Sequence, residues 1–156
     1  MKLCIKQEIF SFIDKFYVMD AAGRDVYYVE SEFLTFLKKF HIYAMSGAEQ
    51  AYIKQNFSLL EPELSVYIDG QEEARVVKKL TFFMPEYDVD GPEWKVQGDF
   101  FGHDYEITQD GQVIASINKE WFTWGDCYSI DVTRPQDTML ALAVMLAIDF
   151  ALSGNN

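Results

Sequence analysis

From residue 3 to residue 132 the chain is built of short runs in which apolar and polar positions alternate, and from Met139 to Leu152 that alternation stops. The alternating runs have the period of half-buried strands, with one face to a core and one to water. Leu64, Val66 and Ile68 oppose Ser65 and Tyr67; Trp94 and Val96 oppose Lys95 and Gln97; Tyr128, Ile130 and Val132 oppose Ser129 and Asp131. Turn residues separate the runs, with glycines at 23, 47, 70, 91 and 111, spaced 20 to 24 residues apart. Such spacing predicts hairpin after hairpin. The expected strands are a leading one at Leu3–Ile9 and five hairpins: 16–19 with 26–30, 41–44 with 51–55, 64–68 with 74–78, 87–90 with 94–97, and 105–108 with 113–118. Tyr128–Val132 closes the series.

The last stretch, MLALAVMLAIDFAL, has Asp149 as its one polar member. A helix apolar on every side has no face for water and is buried all round or lies in a membrane. Its apolar part falls short of the ~20 residues a bilayer needs, and no Lys or Arg run flanks it, so a core helix is expected over about 134–153. Thr133 and Gln136 have the capping-box spacing, and Pro135 suits a first turn. About twelve antiparallel strands make a sheet too long to stay open, and closure removes its edges. Eight-stranded barrels are filled by side chains and sixteen-stranded ones hold water, so about twelve leave a hole near the ~10 Å width of a helix. The expectation is a single domain over 1–156: a closed antiparallel barrel over 1–132 around a hydrophobic C-terminal helix.

Composition narrows the function. The 156 residues carry 13 basic and 25 acidic side chains, a net charge of −12, which argues against nucleic acid as a partner. Cys4 and Cys127 are the two cysteines, and Met1–Phe12, interrupted by Lys2, Lys6 and Glu8, lacks a signal-peptide pattern. A cytosolic protein with two reduced thiols is expected.

The runs Gly98-Asp99-Phe100-Phe101-Gly102-His103-Asp104-Tyr105-Glu106-Ile107, Lys119-Glu120-Trp121-Phe122-Thr123-Trp124-Gly125-Asp126 and Thr81-Phe82-Phe83, with the apolar tail, resemble the LURP-one-related family. That resemblance implies a Tubby-like fold, a twelve-stranded barrel closed around a hydrophobic helix, with phospholipid scramblases as proposed relatives. Tubby proteins bind phosphoinositides through basic residues; most members of the resembled family have no assigned activity.

Candidate chemistry is sparse. Lys78 and Lys119 fall on the inward parity at strand ends, and with Lys54, Lys79 and the Lys38-Lys39 pair they suggest a cationic ring at one barrel mouth for a phosphorylated headgroup. Edge lysines that keep strand ends soluble explain the same residues. Asp149 is expected to emerge from the mouth, and His103 to be a solvated turn residue. Cys127 reads as structural, and Trp121, Phe122 and Trp124 as a core cluster. Asp88-Val89-Asp90-Gly91 lacks the downstream glutamate of a calcium loop. No catalytic constellation, metal site or cofactor is expected. The reading is a non-catalytic binding or scaffold domain for a protein or small-molecule partner, with phospholipid headgroup binding as the alternative.

Overall fold

The computed structural model describes residues 1–6, 15–32, 36–79, 81, 85–122 and 125–153. Twelve strands form one closed antiparallel barrel, each paired with its sequence neighbours, and β1 closing on β12. They are β1 (Lys2–Lys6), β2 (Lys15–Asp20), β3 (Asp25–Ser31), β4 (Lys39–Ala44), β5 (Glu49–Gln55), β6 (Glu63–Ile68), β7 (Gln71–Lys79), β8 (Glu86–Asp90), β9 (Trp94–Asp99), β10 (Asp104–Gln109), β11 (Gln112–Phe122) and β12 (Gly125–Val132). The expected hairpins are all present. The first strand was expected to reach Ile9; residues 7–9 lie outside those described, as do Phe82, Phe83 and Trp124.

Two corrections concern lengths. β11 continues to Phe122 and pairs there with Gly125, so a long final hairpin replaces the short closing strand. The helix α1 spans Thr138–Ser153, preceded by a 3-10 turn at Pro135–Asp137 that has no side-chain cap. Thr133 instead donates its N–H to the Ile114 carbonyl as the chain leaves the sheet, so the capping box does not form. Sixteen residues make a helix of about 24 Å rather than about 30 Å.

Inward-facing residues of every strand line the lumen, and α1 fills it. Ala141, Leu142, Ala143, Val144, Met145, Ala147 and Ile148 are each fully buried, joining Leu3, Ile5, Ile42, Ile53, Val66, Val76, Ile107, Ile117 and Ile130 in one core. The helix lies nearest β5, β6 and β7, where the inward Ala51 and Ala74 are small. Although α1 has the composition of a membrane span, its apolar surface is spent inside the barrel.

The barrel has two unlike ends. Even-numbered strands hand over to the next strand through tight turns at one end, where β12 also delivers the chain into α1. The other connections, including 56–62 and 100–103, gather at the opposite end, where α1 finishes; these are the tight-turn end and the loop end. Leu142, in the second turn of α1, is fully buried, and Leu142→Ala should cost about 2–5 kcal/mol, the usual range for a cavity at a closed site. Urea unfolding would check it; a loss under about 1 kcal/mol would show that the lumen collapses around the helix.

Candidate functional site at the loop end

The β9–β10 turn shapes the mouth. Gly98 has φ +135°, and a Cβ there would sit 2.6 Å from the Asp104 carbonyl oxygen and the Tyr105 Cα. That close approach folds the turn back across the opening, with His103 at φ +53° and its N–H donated to the Phe100 carbonyl. Phe100 points in, edge-on to Tyr87 at 4.8 Å, and Phe101 points out.

This geometry overturns two expectations. His103 is not a solvated turn residue: its ring stacks on Tyr128 at 4.4 Å with planes 8° apart. Asp149 does not emerge from the mouth. It lies four residues inside the end of α1, its side chain 4% exposed, with Oδ1 3.5 Å from His103 Nδ1. That is too long for a strong hydrogen bond. The hydroxyls of Tyr87 and Tyr105 and both carboxyl oxygens of Asp149 are buried without a hydrogen-bond partner among the described residues. Burial raises the Asp149 pKa, with His103 and the Tyr128 hydroxyl pulling partly the other way. Burial, and the nearby Asp149, likewise raise the Tyr87, Tyr105 and Tyr128 phenols. Burial thus disfavours the ionised forms of these groups.

The predicted lysines all reach the loop end but do not converge. Lys78 is in register with Tyr87 and Lys119 with Tyr128, so both share the inward parity. Lys54 faces outward opposite Lys39 and Ser65. Lys79 is held outside by Glu61 at 3.8 Å and Asp88 at 3.5 Å, and Lys39 by Glu32 at 3.9 Å. β7 and β11 are four strands apart, roughly 19 Å along the wall at ~4.8 Å per strand. The lysines thus make a spread rim and not a cradle for one headgroup. Lys54, Lys78 and Lys119 have no ion-pair partner among the described residues.

Sequence reasoning missed the apolar side of this end. Phe36, Phe57, Leu59, Leu60, Phe101 and Trp121 are between 67% and 89% exposed, and every one belongs to a loop or strand tip there. Trp121 is thus not part of a core cluster, because the long β11–β12 hairpin carries it beyond the packed layers. Beside α1 a cavity of about 150 Å³ opens between Gln55, Asn56, Leu60, Glu61, Leu64 and Phe150.

A closed barrel plugged by its own C-terminal helix, with its distinctive side chains on one rim, defines a class of helix-filled barrel proteins. The LURP-one-related family profile matches residues 1–149, and the chain belongs to that family. It is 28% identical over 152 residues to the uncharacterized protein YxjI of Bacillus subtilis strain 168, covering 97% of this chain and 94% of that one. A crystallographically solved Arabidopsis thaliana protein shares the fold, with a TM-score of 0.64, 10% identity, and coverage of 95% of this chain and 89% of that one.

The buried carboxyl has a pH signature. An acid whose folded pKa is raised holds its proton more tightly when folded, so its stabilisation is complete below the unfolded value near 3.9 and is lost as pH rises through the folded value. Asp149→Asn should therefore leave stability near pH 3.5 almost unchanged and raise it at pH 7.5, by about 1.4 kcal/mol per pKa unit removed. Urea unfolding at the two pH values measures this. A variant less stable at pH 7.5 would mean that Asp149 is ionised and dependent on His103.

Proposed function

We propose that the protein is a non-catalytic cytosolic binding domain that sets its loop end against an anionic lipid surface. One observation carries the reading: the exposed Phe, Leu and Trp tips lie at the same end as Lys54, Lys78 and Lys119, which have no ion-pair partner among the described residues. Apolar tips among lysines are suited to a membrane interface, where rings and aliphatic chains enter the headgroup layer and ammonium groups stay at its surface. A rim with lysines roughly 19 Å apart by strand spacing meets a charged plane better than it grips one headgroup. The filled lumen leaves the outside of the barrel and its rim as the working surfaces. Cys4 and Cys127 are both buried and not disulfide-bonded, in keeping with a reducing compartment.

The net charge of −12 is only partly remote from this docking, since Glu32, Glu61, Asp99 and Asp104 stand at the loop end, Glu32 and Glu61 paired there with Lys39 and Lys79. Carboxylates at the tight-turn end stand about 24 Å from the docked plane by the length of α1, several times the ~8 Å over which physiological salt screens charge. The resemblance to the LURP-one-related family implies a Tubby-like fold, and Tubby proteins bind phosphoinositides through basic residues.

Sedimentation with vesicles of phosphatidylcholine, alone or with phosphatidylserine or a phosphoinositide, tests the reading at low and physiological salt. Binding should need anionic lipid and weaken with salt, and Lys78→Glu/Lys119→Glu should abolish it. Leu59→Ser/Leu60→Ser should weaken the salt-resistant part about tenfold or more, since burying one leucine is worth about 1.5–3 kcal/mol. Failure to sediment with any vesicle at either salt would refute lipid docking.

A further inference from the structure

The outer wall carries a second feature, on a different face and of opposite charge. Across the outside of β2 to β6 the side chains of Tyr17, Tyr28, Tyr43, His41, Tyr52 and Tyr67 form a continuous strip. Successive centroid distances are 6.3 Å, 5.1 Å, 5.8 Å, 4.8 Å and 5.7 Å. They occupy the water-facing parity, and Tyr17↔Tyr28, Tyr28↔Tyr43, His41↔Tyr52 and Tyr52↔Tyr67 are direct cross-strand pairs. Cross-strand aromatic pairs add to sheet stability, but a contiguous half-buried strip of rings on the water-facing parity, with Tyr17 exposed at one end, also presents a contact surface.

One end of the strip already binds a cation. Lys15 Nζ lies 4.4 Å from the Tyr28 ring centroid and 5.6 Å from that of Tyr17, and 3.6 Å from Glu30. The other end repeats the rings and carboxylates around a cavity of about 230 Å³ lined by Tyr52, Tyr67, Glu49, Asp69 and Gly70. Around it, Glu49 and Glu32 engage His41, and Glu72 lies 2.9 Å from Arg75, which also reaches Glu63 at 3.9 Å. Asp69 has no cationic partner among the described residues. Nor do Glu73 and Asp90, which edge a neighbouring hollow of about 240 Å³.

We propose that this strip and its Tyr52–Tyr67 cavity bind an arginine side chain from an extended basic segment of a partner protein. The guanidinium would lie between the rings and the Asp69 carboxylate, as Lys15 lies between Tyr28 and Glu30. Guanidinium groups stack on aromatic faces and pair with carboxylates at once, which an ammonium does less well. The strip crosses five strands, roughly 19 Å at ~4.8 Å each, the span of about six extended residues. A basic segment is also what a chain of net charge −12 attracts at long range. This site faces away from the lipid-docking rim and does not depend on it.

The probe is the acetylated, amidated hexapeptide Arg-Ser-Arg-Ser-Arg-Ser, titrated into the full chain at physiological salt and followed by amide chemical shifts. The citrulline peptide serves as its neutral isostere. Shifts should concentrate on β4 to β6 and on Asp69 and Gly70, and binding should weaken about tenfold with citrulline, with Tyr67→Leu and with Asp69→Asn. Asn keeps the left-handed backbone that Asp69 adopts at φ +52°. Lys78→Glu/Lys119→Glu should leave the affinity unchanged, separating this site from lipid docking. Shifts spread over the acidic turns, including Asp110, or an affinity indifferent to Tyr67→Leu, would reduce the effect to unspecific charge attraction and overturn the proposal. So would no shift at millimolar peptide.

Discussion

An all-apolar helix needs a wall on every side, and the rest of the chain supplies it. Two packed layers would leave one side of α1 in water; a ring of strands leaves none. Strand number then follows from width, because the ring must admit one helix and no channel of water. The dependence is mutual, since the inward faces of twelve strands would otherwise enclose an apolar void. That mutual burial removes the lumen as a place for a ligand, and whatever the protein binds must meet the outside of the wall or one of its rims.

The distribution of charge follows partly from the same architecture. Tight hairpins need residues that tolerate positive φ, and Asp69 and Asp110 take it at 52° and 50° beside Gly70 and Gly111. Acidity at the tight-turn end is thus in part a by-product of turn geometry. At the loop end the constraint is relaxed, and lysines terminate strands whose edges stay wet. The net charge therefore says less about any one surface than the sign of the groups left without partners there.

Much of the fold was legible because it rests on periodicity. The twelve strands and the core helix follow from period two and from an unbroken apolar run, and the turn glycines fix the hairpins. What escaped depends on register and depth, which periodicity does not encode. Trp121 reads as core until β11 is known to run on to Phe122, and His103 reads as solvated until Gly98 is known to fold its turn inward. The tyrosine strip was present in the sequence as single aromatic residues at polar-parity positions of five strands. Only the cross-strand registers, shifted by bulges in several hairpins, bring those rings into one line. The lysines share one end of the barrel, but strand count around the wall keeps them apart.

Asp149 is the one charged group buried in the core among the described residues, and depth gives a reason. A smooth helix in an apolar tube can slide or turn at little cost, because each aliphatic neighbour it leaves is followed by another of the same kind. A single carboxyl removes that freedom. Only at the loop end do Tyr87, Tyr105, Tyr128 and His103 lie around it. A shift of one turn, about 5.4 Å, would carry Asp149 toward purely aliphatic side chains or expose the apolar helix end. Buried polar groups fix register in coiled coils at a cost in stability, and a carboxyl with polar neighbours at one depth has the geometry for the same exchange. Its consequence reaches the rim: the depth of α1 sets where Phe150 meets Phe40, 5.0 Å away, and so where the loop end closes.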